Sequence, residues 1–585
     1  MGHEQSGGAR YEGRHFRRRR GPRPAFVGGV ALAVAAIVAG AMVLVGSDRS
    51  KPLAEAPAPG GAAGSVAATG SAGKGAGSQA PPASADLASQ GAAGVTSAAI
   101  VAENARPGTD AWRITPATGT GFIEGFADTT YAQAGQTVNL YVSTSAASFQ
   151  VVAYRMGWYA GLGGREVWRS ASTAGVEQPS CPVDHRTNMV SCDSWSQSVA
   201  VAITSDFLQG DYLLKLVGSG GEQSYIPLTI WDPGSRAAFL VMARSLTEQG
   251  WNTYGGYSYY QGKGPCILGQ TGSYPPCNRA RVVSFDRPYD SGNGASDFLE
   301  NEYPLVQLME KQGLDAAYCT DVTVDEHPSV VMAHRALLSL GHDETWTYNE
   351  RKAAVDGLDH GVNLVFFGAA PVLRHSRLES SALGPDRQQV DYRDESEDPL
   401  DHRTDPMNVT GNTWSSPPAG QSPVGLVGEE YSGYLNGIAT VPFVVTDSSS
   451  WVYDGTGLSD GSEIPSVVGS DFDHLAPYAG SPADTQVLGH SPVPLSESFT
   501  MEGKWGSDTY SDMTYYTDPK SQAGVLDTGT VNWIDVLVPC AVQQDCAAPA
   551  VSAITLNILK AFGQGPAGQT HPAVPNWRSI RPLGS

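Results

Sequence analysis

"ALLSLGHDETWTYNERKAAVDGLDHGVNLVFFGAAP", Ala336 to Pro371, is the stretch whose reading decides the fold. It opens as a short apolar run, the length of one buried strand, and Gly341 ends that run. Thr347 and Glu350 make a T-x-x-E capping box, which starts a helix. The helix runs to about His360, and Gly361 sits where a C′ glycine belongs. Asn363 to Phe367 is the next apolar run. Strand, helix, strand in this order predicts a parallel, doubly wound α/β sheet. His342, Asp343 and Glu344 then fall between the carboxyl end of one strand and the start of its helix. Ligand sites of open α/β sheets form at those carboxyl ends, so three ionisable residues in a row mark a candidate crevice.

Working outward, Ala237 to Ala243 reads as a buried strand and Pro304 to Gln312 as a helix, opened by proline and closed by Gly313. Residues 236–585 are therefore expected to form one α/β domain. From about Leu373 this domain is loop-rich, including "VDYRDESEDPLDHRTDP". Residues 109–233 change class. Runs such as "QTVNLYVST", "FQVVAYRM" and "GDYLLKLVG" are short and β-rich, with Gly, Ser and Asp clusters between them, which predicts an antiparallel β-sandwich. Residues 47–108 are largely Ala, Gly, Ser and Pro. They read as a disordered tether, because they bury too little apolar surface to fold.

The N-terminus carries a topology signal. Arg14, Arg17, Arg18, Arg19, Arg20 and Arg23 crowd the basic segment 1–24, and residues 25–46 carry no charge. A run of that length spans a bilayer as a helix, and the arginines place its start in the cytoplasm. The expectation is a single-pass transmembrane signal anchor at the cell membrane with an extracytoplasmic C-terminal ectodomain. A cleaved signal peptide ending near Ala54-Glu55-Ala56 is the alternative. The formal net charge of -22 argues against nucleic acid as a partner. An exported chain also favours disulfides. The spacing predicts Cys181–Cys192, Cys266–Cys277 and Cys540–Cys546, each closing a short loop, with Cys319 left as a buried thiol.

Several familiar chemistries are absent. The chain has no H-E-x-x-H, no G-x-S-x-G and no phosphate-binding glycine loop. What remains is rich in oxygen donors. "WNTYGGYSYY" supplies Tyr254, Tyr257, Tyr259 and Tyr260, and "SFDRPYDSG" supplies Asp286, Arg287 and Tyr289. Phenols and carboxylates converging from neighbouring strand ends would suit a hard cation acting as a Lewis acid.

Longer segments carry a resemblance. "YRMGWYAGLGGREV" (Tyr154 to Val167), "SFDRPY", "LLSLGHDETW" and "VNLVFFGA" resemble segments of the N,N-dimethylformamidase large (beta) subunit family. The resemblance implies a β-sandwich followed by a glutamine-amidotransferase-like domain that lacks the cysteine nucleophile. It also implies a ferric iron, Fe(3+), held by two tyrosinates and a glutamate. By position the glutamate is Glu344, one tyrosine is Tyr289, and the other is Tyr260 or else Tyr254. The chain departs from the family at two places. Trp251 stands where the family has a tyrosine in A-Y-N-x-W-G-G, and Ala370 stands where it has an asparagine.

Two functions follow. One is an iron-dependent amidohydrolase acting on a small amide, with His342 and Asp343 handling protons and Arg155 and Arg287 as further site residues or salt-bridge partners. The other is a non-catalytic cell-envelope binding or scaffold protein, whose signature would be exposed aromatics at Trp158 and Tyr159. A glycosidase built on Asp343 and Glu344 is disfavoured, because adjacent residues of an extended segment point oppositely.

Overall fold

The structure is a computed structural model that describes residues 95–114, 121–264, 277–435, 439–477, 480–494, 498–500, 509–538 and 546–580. The expected basic segment 1–24, the span 25–46, and Cys266 and Cys540 lie outside the described residues.

The central sheet has seven strands. These are β1 (Phe239–Ala243), β2 (Ala316–Thr320), β3 (Ala336–Gly341), β4 (Asn363–Gly368), β5 (Gln486–Val493), β6 (Thr509–Thr517) and β7 (Gly524–Asp527), in the order β2-β1-β3-β4-β7-β6-β5. β2, β1, β3, β4 and β7 run parallel. β6 and β5 close the sheet antiparallel. The helices that matter here are α1 (Ser245–Trp251), α2 (Tyr303–Lys311), α3 (Tyr348–Asp359) and α4 (Ala548–Phe562).

Side-chain alternation along the strands assigns the two faces. Val241, Leu338, Leu340 and Phe367 pack against Leu305 and Met309 of α2 and Ile554 and Ile558 of α4. Leu240, Leu337, Leu364 and Phe366 pack on the other side against Ala353, Ala354 and Leu358 of α3. Burial on both faces explains why these strands read as unbroken apolar runs. Thr347 caps α3, and its reciprocal bond with Glu350 is present. Pro304 sits in the first turn of α2.

Ahead of this sheet, residues 123–230 build two facing sheets around a shared core that includes Val138, Leu140, Val151, Leu214 and Ile226. Apart from the short parallel pairing of Tyr131–Ala132 with Gln223–Ile230, their strands are antiparallel. All described residues belong to one compact unit. Residues 98–104 form a helix whose Glu103 pairs with Arg165 at 2.5 Å. Arg155, fully buried, binds Glu310 of α2 at 2.7 Å, so it joins the two parts of the molecule and does not line the crevice.

The expected fold class, a transmembrane helix followed by a sandwich and a doubly wound α/β domain, is corrected. The described chain is β-rich with few helices, and none of these helices is long and apolar enough to cross a membrane. The expectation generalised from one stretch. Strand–helix alternation is confined to the neighbourhood of Ala336–Pro371 and the strands before it. From Arg374 to Asp527 the chain returns mostly as short strands, several interrupted by Gly or Pro, such as "EEYSGYL" and "EIPSVVG". Such breaks hide a strand from period-based reading.

Cys181 and Cys192 form a disulfide. Cys277 and Cys546 are each in a disulfide of their own. Cys319, on β2, is a free buried thiol.

Candidate functional site

The site grows from the loop after β3. Gly341 takes a positive φ of 58°, and an added Cβ there would meet Asn301 at 2.8 Å, so the turn requires glycine. Beyond it the alternation of an extended segment separates the three ionisable residues. Asp343 turns into the core, is 0% exposed, and accepts from Ser339 Oγ at 2.8 Å. Burial pushes its carboxyl up to about 6. His342 and Glu344 turn the other way, with His342 Nε2 3.8 Å from Glu344 Oε2.

Glu344 is the hub. Its Oε1 accepts from Arg374 Nε at 3.1 Å, its Oε2 accepts from Trp251 Nε1 at 3.0 Å, and the Tyr260 hydroxyl donates to the same carboxylate. Burial alone would raise this acid. The charges of His342, Arg374 and Arg393, with the Tyr260 hydrogen bond, outweigh burial and hold it down to about 2. Tyr260 is pushed well above the usual phenol range, first by burial and then by the negative Glu344. Its ring is sandwiched, with Trp251 stacked at 3.7 Å on one side and the Arg393 guanidinium at 4.2 Å. Trp251 also stands 5.8 Å from the His342 ring.

Two devices place these groups. α1 starts where Leu246 N donates to Asp321 Oδ2 at 2.6 Å, and it ends at Trp251. Arg287 then holds the tyrosine-rich loop, donating to the carbonyls of Gln249, Asn252, Tyr254 and Tyr257. Arg287 is therefore a backbone clamp. Of the loop's tyrosines, only Tyr260 reaches Glu344. Tyr254 donates to Glu124, Tyr257 to the Lys263 carbonyl and Tyr259 to the Gln389 carbonyl. Asp286 binds Arg387 at 2.8 Å.

Tyr289 is not brought to Glu344. It lines a separate cavity, and the charges that act on it are Glu248, Asp321 and Glu302. The aromatics at the sandwich tip are not a displayed surface either: Tyr159 is 1% exposed and donates to Glu103, and Lys311 lies over the Trp158 ring.

The structure adds residues the sequence did not single out. Arg374 and Arg393 come from the loop-rich stretch after β4. Tyr431 donates to Asp471 at 2.8 Å and also feels the charges of Glu344 and Asp473, so these groups lie within electrostatic range of one another. Both Asp473 oxygens accept from Ala370 N, at 3.0 and 2.8 Å, and its carboxyl hydrogen-bonds to Asp527. Ala370 and Val372 both take φ of 57°, the strained left-handed region, in the turn that delivers this N–H. No local signal marks these partners, because they arrive from 30 to 180 residues away in the chain.

The donor set can be tested against a ferric ion held by two tyrosinates and a glutamate. Tyr260 and Glu344 would supply two oxygens. Trp251 occupies the neighbouring place, and its N–H points at Glu344; an indole N–H donates but does not ligate. Arg374 and Arg393 add positive charge beside the carboxylate, and Tyr289 is elsewhere. The residues present do not fit that ion. Among the described residues no group of three or more His, Cys, Asp or Glu is arranged to hold a metal.

No curated protein matches the chain. A family described as "N,N-dimethylformamidase beta subunit-like, C-terminal" matches residues 150–547, which include the central sheet and every residue of the Glu344 site. The chain belongs to the N,N-dimethylformamidase beta subunit-like family.

Proposed function

We propose that the protein hydrolyses a small amide in the crevice at the carboxyl ends of β3, β4 and β7, without iron. The observation that carries this reading is the convergence of His342 and Tyr260 on an ionised, buried Glu344 at the place where sheets of this kind bind ligands. Glu344, 3.8 Å from Nε2, orients the imidazole. His342 is the positioned base: its ring takes a proton from water while the water oxygen attacks the amide carbonyl carbon. The C–N bond then breaks, and the imidazolium returns the proton to the leaving nitrogen, giving a carboxylic acid and an amine. Tyr260, Trp251 and Arg374 keep the Glu344 carboxylate in place, and Asp343 takes no part in this step. The family supports the reaction class, and the two left-handed residues at 370 and 372 support a turn built for a site.

The Cys181–Cys192 disulfide supports an oxidising, extracytoplasmic compartment. Membrane attachment rests on the uncharged run 25–46 of the sequence.

One observation favours a second reading, a binding protein without turnover. Glu344 already accepts from Trp251, Arg374 and Tyr260, so it is committed as an acceptor. His342→Gln separates the two readings. Loss of a positioned base lowers kcat by about 10²–10⁴-fold. Amine release from a panel of small formamides, followed by NMR, is expected to show that loss with KM little changed. Wild-type protein that binds an amide but releases no amine would establish the second reading.

A further inference from the structure

A cavity of about 60 Å³ lies between the sandwich strands and the start of α1. At roughly 10–15 Å³ per water it has room for about four waters, or a molecule of three to five heavy atoms. It is separate from the Glu344 crevice: Trp251, Tyr260 and Glu344 do not line it.

Its chemistry is two-sided. Phe126, Phe285, Phe298, Ile226 and Leu228 make apolar walls. Against them stand three buried acids, Asp211, Glu248 and Glu302, which are 5%, 7% and 2% exposed. Asp211 accepts from Thr229 at 2.8 Å. Glu302 is 3.3 Å from Arg244 Nε. Glu248 is the anomaly. Its Oε1 has no hydrogen-bond partner, and its nearest cation, Arg244, is 3.9 Å away. The lining arginines do not make up the difference. Arg287 spends its N–H groups on the loop carbonyls and Gln249, and Arg387 is paired with Asp286. Counted with Arg244 and Asp286, these groups leave one formal negative charge in excess.

We propose that this cavity binds a small alkylammonium ion, with its N–H groups on Glu248 and Glu302 and its alkyl groups against the phenylalanines. A bare buried carboxylate without a partner is costly, and a bound cation supplies the partner. Burial raises Glu248, and raises Glu302 to about 8 and Asp211 to about 7, so without a cation these acids hold protons, which a bound ammonium displaces. An inorganic ion fits less well, because the walls are apolar and no three acidic or imidazole ligands are grouped for one among the described residues. The site stands whether or not the Glu344 crevice is catalytic. An amine is also what amide hydrolysis releases, and Arg244, which neighbours both acids, donates to the His342 carbonyl at 3.3 Å. Occupancy of the cavity is therefore adjacent to the crevice through one side chain.

The test uses the full chain and saturation-transfer NMR with dimethylammonium chloride, propan-2-ol as a neutral molecule of similar size, and sodium chloride at matched ionic strength. The expected result is saturable transfer to dimethylammonium, at least tenfold weaker for propan-2-ol, and at least tenfold weaker in Glu248→Gln. Glu302→Gln gives the same answer if the first variant does not fold. Tyr260→Phe, in the crevice, is expected to leave the ammonium affinity within twofold. Absence of transfer in the wild type, equal binding of propan-2-ol, an unchanged Glu248→Gln, or loss of binding in Tyr260→Phe each overturns the proposal.

Discussion

Glu344 and Asp473 are both buried carboxylic acids at the carboxyl end of the same sheet, 3% and 1% exposed, and they sit in opposite protonation states near neutral pH. Glu344 is surrounded by His342, Arg374, Arg393, the Tyr260 hydroxyl and the Trp251 N–H, and stays ionised down to about 2. Asp473 accepts two bonds from a single backbone N–H and otherwise faces Asp527, Asp471 and Glu430. Burial, helped by the charges of Asp471 and Glu430, pushes it up to about 8 against the opposing hydrogen bonds of Ala370 and Asp527. Asp527 is also raised well above the usual carboxylate range, by burial first and then by Asp473. Two carboxyls that hydrogen-bond to each other share a proton, because both cannot ionise at short range. Desolvation is nearly the same for the two acids. The neighbours decide the sign, and so one end of the sheet holds a fixed anion beside a proton store.

The largest test breaks the first half of that comparison. Arg374→Ala leaves Glu344 buried with one cation fewer, and it also removes two bonds to Asn412. Removing one partner of a buried pair costs about 3–5 kcal/mol. Urea unfolding at pH 7 is expected to show a loss of that order, and a loss under about 1 kcal/mol would mean that Glu344 is not held by this charge.

The second test uses pH to set the two acids against each other. Glu344 titrates lower folded than unfolded, so its contribution is present above about 4 and is lost as pH falls toward 2. With an unfolded value of about 4.3, it amounts to roughly 3 kcal/mol. Asp473 titrates higher folded than unfolded. The folded chain then binds the extra proton, and stability falls as pH rises from about 4 to about 8. Glu344→Gln is expected to flatten the acid limb of stability against pH, and Asp473→Asn the limb between 4 and 8. The same limb flattening in both variants would contradict opposite charge states.

The smallest effect belongs to Trp251→Phe. It keeps the stack on Tyr260 and removes only the N–H donated to Glu344. Trp251 is 43% exposed, so a hydrogen bond to a charged acceptor here is discounted to about 1 kcal/mol.

The sequence made local features legible. The capping box at Thr347, the proline-led helix at Pro304 and the polar turn after Leu340 are each written within a few residues of where they act. His342 and Glu344 follow a strand that reads clearly, whereas Tyr260, or else Tyr254, comes beside Glu344 only through the family resemblance. Trp251 could be flagged as a substitution, but not as a donor to Glu344, since that needs the register of α1 against the loop after β3. Arg374, Arg393, Tyr431 and Asp473 were out of reach. They depend on how a 150-residue excursion of short strands folds back, and such long-range pairings leave no periodic trace. Tyr289, expected as one of the two tyrosine ligands, follows α1 at a distance in the chain and lines the cavity beside Glu248 and Gln249, a placement that no local pattern marks. The β-rich character was missed because Pro and Gly interrupt the later strands.

The central claim is amide hydrolysis by a carboxylate-held imidazole with no iron in the site, and the most direct measurement is amine release from a small formamide before and after exhaustive chelation. The account predicts a measurable wild-type rate that chelation leaves unchanged and His342→Gln removes. A rate lost on chelation and restored by added iron, or no amine release from any member of the formamide panel, would contradict it.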